Sequence, residues 1–253
     1  MVAQGSKAVM LGQEVYQYNP SSYLTASLHL PISGQVIEAS RETPYLSLQI
    51  LFDMNQMLDV IQVSGKTLRA RGEASRGLKV SRMNDTLMDA VLRLVKLVEV
   101  PEDIPLLVPS TIREVIYRIL QNDCNTSLIQ FAATGSHAQR IARVVEMLNR
   151  DFAQPLRVDE LAAEARMSSS SLYHYFKEVT GMSPIQFQKH LRLQEARRLL
   201  FSGSIDAAEA AIQVGYESPS HFSREYARMF GLPPVRDVHR LRSFLIDEIT
   251  GDS

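Results

Sequence analysis

"LAAEARMSSSSLYHYFKEVTGMSP" (Leu161–Pro184) and "AAIQVGYESPSHFSREYARMFGLPP" (Ala210–Pro234) carry one order of features twice. Ala162 matches Ala211 at an offset of 49. Leu172, Phe176 and Gly181 match Phe222, Tyr226 and Gly231 at 50, so the second copy holds one extra residue in its turn. Such self-similarity marks two copies of one supersecondary unit. Each reads as a short alanine-rich helix, a tight turn (Arg166-Met167-Ser168, or Gly215-Tyr216-Glu217-Ser218), and a second helix ending at a glycine that suits a left-handed C-cap. That order is a helix-turn-helix.

The two faces of each second helix differ. Leu172, Phe176 and Val179 share one side of the first, and Phe222, Tyr226, Met229 and Phe230 one side of the second, so these are expected in the core. The opposite sides carry Ser170, His174 and Lys177, with Tyr173 beside them, and Ser220, His221, Arg224 and Arg228. Small hydroxyls admit close approach to a groove. Arg224 can pair with two acceptors on a guanine edge, and His or Tyr can reach bases or phosphates. A solvated amphipathic face would look similar in one copy alone, but it has no reason to recur with the whole helix-turn-helix order. The predicted recognition helices are therefore Ser169 to Thr180 and Pro219 to Met229.

Between the copies, "SPIQFQKHLRLQEARRLL" (Ser183–Leu200) opens with a good N-cap and a proline that fits the first helical turn. Phe187 and Leu191 on one side, and Leu193, Ala196 and Leu200 on another, are what a helix joining two subdomains needs. Lys189 and Arg192 sit three apart and are candidate phosphate contacts, or else solvated charges.

Upstream of these units the period changes. "AVML", "EVYQY", "YLTASLHL", "GQVIEA" and "YLSLQILF" read as strands, punctuated by Gly12, Asn19-Pro20, Pro31, Gly34 and Pro44, which suggests a small barrel or sandwich. From Asn84 the chain turns helical, with Leu87, Val91, Leu94 and Val98 at helical spacing until Pro101 and Pro105. A second helix is expected from Ser110 and a short one over Thr126 to Ala132, together a helical annex to the barrel. "TGSH" (Thr134–His137) is the expected boundary, because Gly135 breaks and Ser136 caps a helix with an Ile141, Val144, Val145, Leu148, Phe152 stripe.

The 253 residues are 45% hydrophobic, enough for a sizeable core, and their formal charge of -1 announces no nucleic-acid partner. The distribution is more telling. Residues 137–242 hold 15 Lys and Arg against 12 Asp and Glu, a net of +3, while residues 1–136 are net -1. The single cysteine, Cys124, rules out an intrachain disulfide and a Cys-based metal site. No stretch reaches signal-peptide or membrane-span length (roughly 18 apolar residues), so a cytoplasmic protein without a membrane partner is expected.

Residues 137–242 resemble the DNA-binding domain of AraC/XylS transcriptional regulators through "LAAEARMSSSSLYHYFK", "TGMSPIQFQKHLRLQEARRLL" and "VGYESPSHFSREYARMFGLPP". The front half resembles the cupin-like N-terminal domain of one AraC subgroup through "VAQGSK", "YLTASLHLPISGQVIEAS", "PYLSL", "VPEDIPLL" and "IREVIYRIL". The resemblance implies an α+β chain. A cupin-like β-barrel or jelly roll with a helical annex (1–133) would sense a small molecule or mediate dimerisation. An all-α domain of two helix-turn-helix units joined by a long helix (137–242) would read two successive major-groove segments of double-stranded DNA, and a tail (243–253) would follow. It further implies RNA polymerase and a homodimer partner. Two departures stand out: the subgroup usually has several tens of residues before its "VAQGSK" segment, so the first barrel strands are expected to be missing, and Arg166 occupies a turn position more often glycine.

Tyr16, Tyr18, Tyr23, His29 and Tyr45 are candidate pocket residues, since barrel interiors combine apolar walls with a few polar tips. A lone His29 among the strands argues against a metal. There is no Gly-rich phosphate loop, zinc-protease helix or nucleophile context, so neither a cofactor nor an enzyme is expected. The alternative function is a small-molecule-binding or catalytic barrel whose helical half serves interaction or dimerisation.

Overall fold

The computed structural model describes residues 1–65, 75–122, 126–133, 135–203 and 205–250, so Cys124 and Thr134 lie outside the described residues. Short strands come first. β1 (Val2–Gln4) pairs antiparallel with β6 (Leu46–Ser47). β2 (Ser6–Leu11) lies between β3 (Glu14–Tyr18) and β5 (Ser33–Glu38), and β4 (Ser22–Ala26) pairs with β7 (Leu78–Arg82). In the β2–β3 hairpin Lys7 stands opposite Tyr18 and Leu11 opposite Glu14. The two-residue period then buries Val9, Leu11 and Tyr18 and leaves Met10 and Val15 half exposed.

These strands make three small sheets, and no closed sheet is found among the described residues. The mixed helix-and-sheet class is as expected, while a closed barrel is not among these elements. Pro31 and Pro44 cannot donate to a ladder, and they stand on either side of β5, whose outer edge is unpaired and exposed. The expected strand over 45–52 shrinks to Leu46–Ser47, and the one over 23–30 ends at Ala26.

Helix α1 (Met54–Val63) is an addition to the expected elements. A capping box starts it, in which Asp53 accepts from the Gln56 N–H while the Gln56 side chain accepts from the Asp53 N–H. α2 (Asp85–Lys96) begins at its Asn84 cap. α3 (Ile104–Gln121) starts six residues before the expected Ser110, because Pro105 fits its first turn and the helix tolerates Pro109. α4 covers Thr126–Ala132. Helices α1 to α4 close over Tyr23 in a core that includes Ile61, Leu87, Ile116 and Leu120.

The remainder is helical. α5 (His137–Arg150) is capped by Ser136, and α6 (Val158–Ala165) and α7 (Ser169–Thr180) form the first helix-turn-helix. α8 (Pro184–Ser202) leads to α9 (Ala207–Gln213) and α10 (Pro219–Phe230), the second unit, and α11 (Pro234–Thr250) follows. No helix among the described residues is long and apolar enough to cross a membrane.

Two further cores divide this helical part unequally. Leu172, Phe176 and Phe187 share one continuous core with α5 and with Val9, Leu11, Tyr18 and Leu78 of the strands. Phe222, Tyr226, Leu193, Ala196 and Leu200 form a separate one. The first unit is thus fused to the sheets, and the second packs on its own.

Between α6 and α7 the chain reverses through Arg166 at φ 51°, the one non-glycine residue among the described residues with positive φ. A side chain there costs about 1–2 kcal/mol, partly returned as lower entropy in the unfolded chain. Arg166→Gly is therefore expected within about 1 kcal/mol of the parent or above it, and Arg166→Val at least about 1 kcal/mol below it, by urea denaturation. The reverse order would remove strain as the explanation.

Candidate nucleic-acid interface

Each recognition helix is set by the same local devices. Ser168 and Ser218 cap α7 and α10, their hydroxyls accepting from the N–H groups of Ser171 at 3.2 Å and His221 at 3.3 Å. Gly181 and Gly231 end them in the left-handed conformation. The anchors at matching positions, Leu172 with Phe222 and Phe176 with Tyr226, are all fully buried. Where the first unit has Phe176, the second has a phenol whose tip requires a partner. The Tyr226 hydroxyl donates to Asp237 at 3.0 Å, and the fully buried Asp237 carboxylate also accepts from Arg197 and Arg240.

The outward side chains stand open. On α7, Ser170, His174 and Lys177 are exposed and Tyr173 is half-buried. His174 Nε2 lies 3.9 Å from Glu178, and its ring meets Tyr175 edge-on. On α10, Ser220, His221, Arg224 and Arg228 are exposed. Among the described residues Arg224 spends only Nε, on the Ser220 carbonyl at 3.3 Å, which leaves both Nη groups for a ligand. Lys177 and Arg228 form no ion pair among the described residues.

Lys189 and Arg192 are placed differently. Arg192 donates to the carbonyls of Phe152 (2.8 Å), Ala153 (3.1 Å), Gln154 (2.9 Å) and Gly215 (2.8 Å). It thus ties the turn after α5 to the turn of the second unit. The approach is so close that a Cβ on Gly215, at φ 89°, would lie 2.1 Å from the Ala153 oxygen. Lys189 pairs with Glu225 at 3.0 Å, and the Tyr216 hydroxyl donates to the other carboxylate oxygen, also at 3.0 Å. Spacing on α8 gives no hint of this, because the partners lie 23 to 40 residues away.

Among the strands is a cavity of about 330 Å³. Tyr18, Tyr23 and Tyr45 line it together with Lys7, Val9 and Ile119, whereas Tyr16 and His29 are not in its wall. The Lys7 ammonium lies 5.9 Å from the Tyr45 ring centre. Burial, with Tyr45 alongside, pushes the Tyr18 hydroxyl up to about 12. Tyr16 donates to Glu14 at 2.5 Å and is likewise pushed up to about 12, by burial first and then by that carboxylate. No cluster of His, Cys, Asp and Glu fit for a metal occurs among the described residues.

A family model described as the AraC-type transcriptional regulator N-terminus matches residues 1–127, and a helix-turn-helix domain model matches residues 161–238. The HTH-type transcriptional regulator GbdR of Pseudomonas aeruginosa is 32% identical over 100 residues, covering 40% of this chain and 27% of its own. The HTH-type transcriptional activator RhaS of Escherichia coli is 28% identical over 161 residues, covering 64% and 57%. The chain thus matches about a quarter of the length of GbdR and just over half of that of RhaS. The crystal structure of ToxT from Vibrio cholerae is similar in fold, with a TM-score of 0.55 over 94% of this chain and 88% of that one at 14% identity.

Arg192→Ala is expected to lower stability by about 2–4 kcal/mol in urea denaturation, since it takes the donor from the Ala153 and Gly215 carbonyls, while those of Phe152 and Gln154 keep the Gln188 amide. A pure phosphate contact would leave stability unchanged. Raised tyrosine hydroxyls make a second prediction. The unfolded chain loses phenol protons near pH 10 while Tyr16 and Tyr18 hold theirs to about 12, so their contribution is full below about pH 10 and falls as pH rises towards 12. Denaturation midpoints should drop between about pH 9.5 and 11.5, and less steeply in Tyr18→Phe.

Proposed function

Because the chain belongs to the AraC-type transcriptional regulators, we propose that it is a sequence-specific DNA-binding regulator that reads two successive major-groove segments with α7 and α10. The observation that carries this is the duplicated unit. Two helices of the same design are anchored by buried aromatics, and each leaves a polar face open to solvent. Ser170, Tyr173, His174, Ser220, His221 and Arg224 are assigned to bases, and Lys177 and Arg228 to phosphates. Lys189 and Arg192 serve the same end indirectly, by holding α8 against the second unit.

The division into 1–133, 137–242 and 243–253 is part of this reading, with the front part as a cupin-like sensor whose wall is open. Its cavity lies at the lower end of small-molecule sites in volume. Apolar walls beside Lys7 and three tyrosine rings suit a small, mostly apolar effector carrying an acceptor or anionic group. A homodimer face is supported by Leu92, Val95, Val98, Leu106 and Leu107, all of them 40% exposed or more on α2, α3 and the turns between. Contact with RNA polymerase and residence in the cytoplasm complete the proposal, with no chemistry catalysed.

In gel shifts on duplexes selected from a random-sequence pool, Arg224→Ala is expected to lose about 1–3 kcal/mol and relax preference at one base pair. Arg228→Ala is expected to weaken all sequences about equally and flatten the salt slope by roughly one unit. Unaltered selective binding by Arg224→Ala would remove α10 from the groove.

A further inference from the structure

The first recognition helix is finished by residues from the other half of the chain. At its C-terminal end a helix leaves carbonyls without intrahelical donors, and the helix dipole is negative there. Gly181 N–H serves the Lys177 oxygen. The neighbouring oxygens are reached from the segment just before β7. The Arg76 Nη1 donates to the carbonyls of Lys177 and Glu178, and Gly77 N–H donates to the carbonyl of Val179 at 2.9 Å.

Arg76 is itself fixed from the strands. Its Nε donates to the two carboxylate oxygens of Glu14 at 3.0 and 2.9 Å, and Nη2 joins the same carboxylate. The Tyr16 hydroxyl donates to one of the same two oxygens. The guanidinium bond keeps the Glu14 carboxyl below its ordinary range, so the pair stays ionised near neutral pH. At the hairpin turn Gly12 meets the helix end backbone to backbone, and a Cβ there would lie 3.2 Å from the Gly181 oxygen. The same hairpin carries Lys7, Val9 and Tyr18 into the cavity wall at its far end. α10 has no comparable tie, for no residue before 134 hydrogen-bonds it among the described residues.

We propose that Arg76 is a positioning residue for DNA reading: clamped by Glu14, it sets the angle of the first recognition helix, so the N-terminal half governs one half-site and not the other. This rests on the DNA-reading function proposed above. The outward face of α7 stays open in the clamped arrangement, so the clamp orients the helix and does not mask it.

The test uses the full chain and a duplex it selects from a random-sequence pool, with two derivatives in which one or the other half-site is scrambled. The first half-site is the one whose scrambling makes His174→Ala silent. Failure of the parent to select any duplex overturns the DNA-reading function itself. Given selection, Arg76→Ala is expected to lose about fivefold or more on the duplex keeping only the first half-site, and less than about twofold on the other. Arg76→Lys, which keeps the charge without the fork, recovers part of the loss. Glu14→Gln, close to isosteric, shows the same bias and carries the test if Arg76→Ala does not fold. Equal losses on both duplexes, no change, or a gain on the first half-site each overturn the proposal.

Discussion

The helical half hangs on α8, which has to bury residues on opposite sides at once. Phe187 enters the core shared with the sheets, while Leu193, Ala196 and Leu200 enter the core of the second unit. Each fully buried Phe or Leu contributes about 1.5–3 kcal/mol. The helix is thus held from both sides, and the relative placement of the two units becomes a property of one rigid rod. Two of the cations on its remaining surface extend this. Arg192 gathers the carbonyls of two turns that meet beside it, and Lys189 reaches Glu225 on α10 itself. Together they fix the second reading helix against the rod about which both units are arranged.

Local signals proved readable where one residue determines one piece of geometry. Ser136 and Ser183 cap the helices they were expected to cap, and Gly181 and Gly231 end α7 and α10. α1 shows the same physics overlooked, since Asp53 and Gln56 form a capping box ahead of apolar positions at helical spacing. The strands were less legible. Whether Tyr45 to Phe52 pairs depends on a neighbouring edge, and composition says nothing about where that edge lies.

The outward faces of α7 and α10 could be listed from periodicity because outward polar positions follow from inward apolar ones. Lys189 and Arg192 broke that rule. A long cation on a helix reads as solvated until the carbonyls or carboxylate that claim it are known, and here they come from the turns at 152–154 and 215 and from α10. Arg76 is a stronger case, for besides the Glu14 carboxylate its partners are backbone carbonyls 101 and 102 residues away, which no side-chain pattern can announce.

The unequal division of the cores has a consequence for orientation. One unit shares its core with the strands, and the other has its own. The two units already differ in their outward residues, Tyr173 and His174 on one and His221 and Arg224 on the other. Their attachment differs too, so a duplex read in the way proposed would acquire a head and a tail. Turning a site end for end would carry the whole front half to the opposite flank, and a single copy of the chain would impart direction along DNA without a second subunit to break the symmetry.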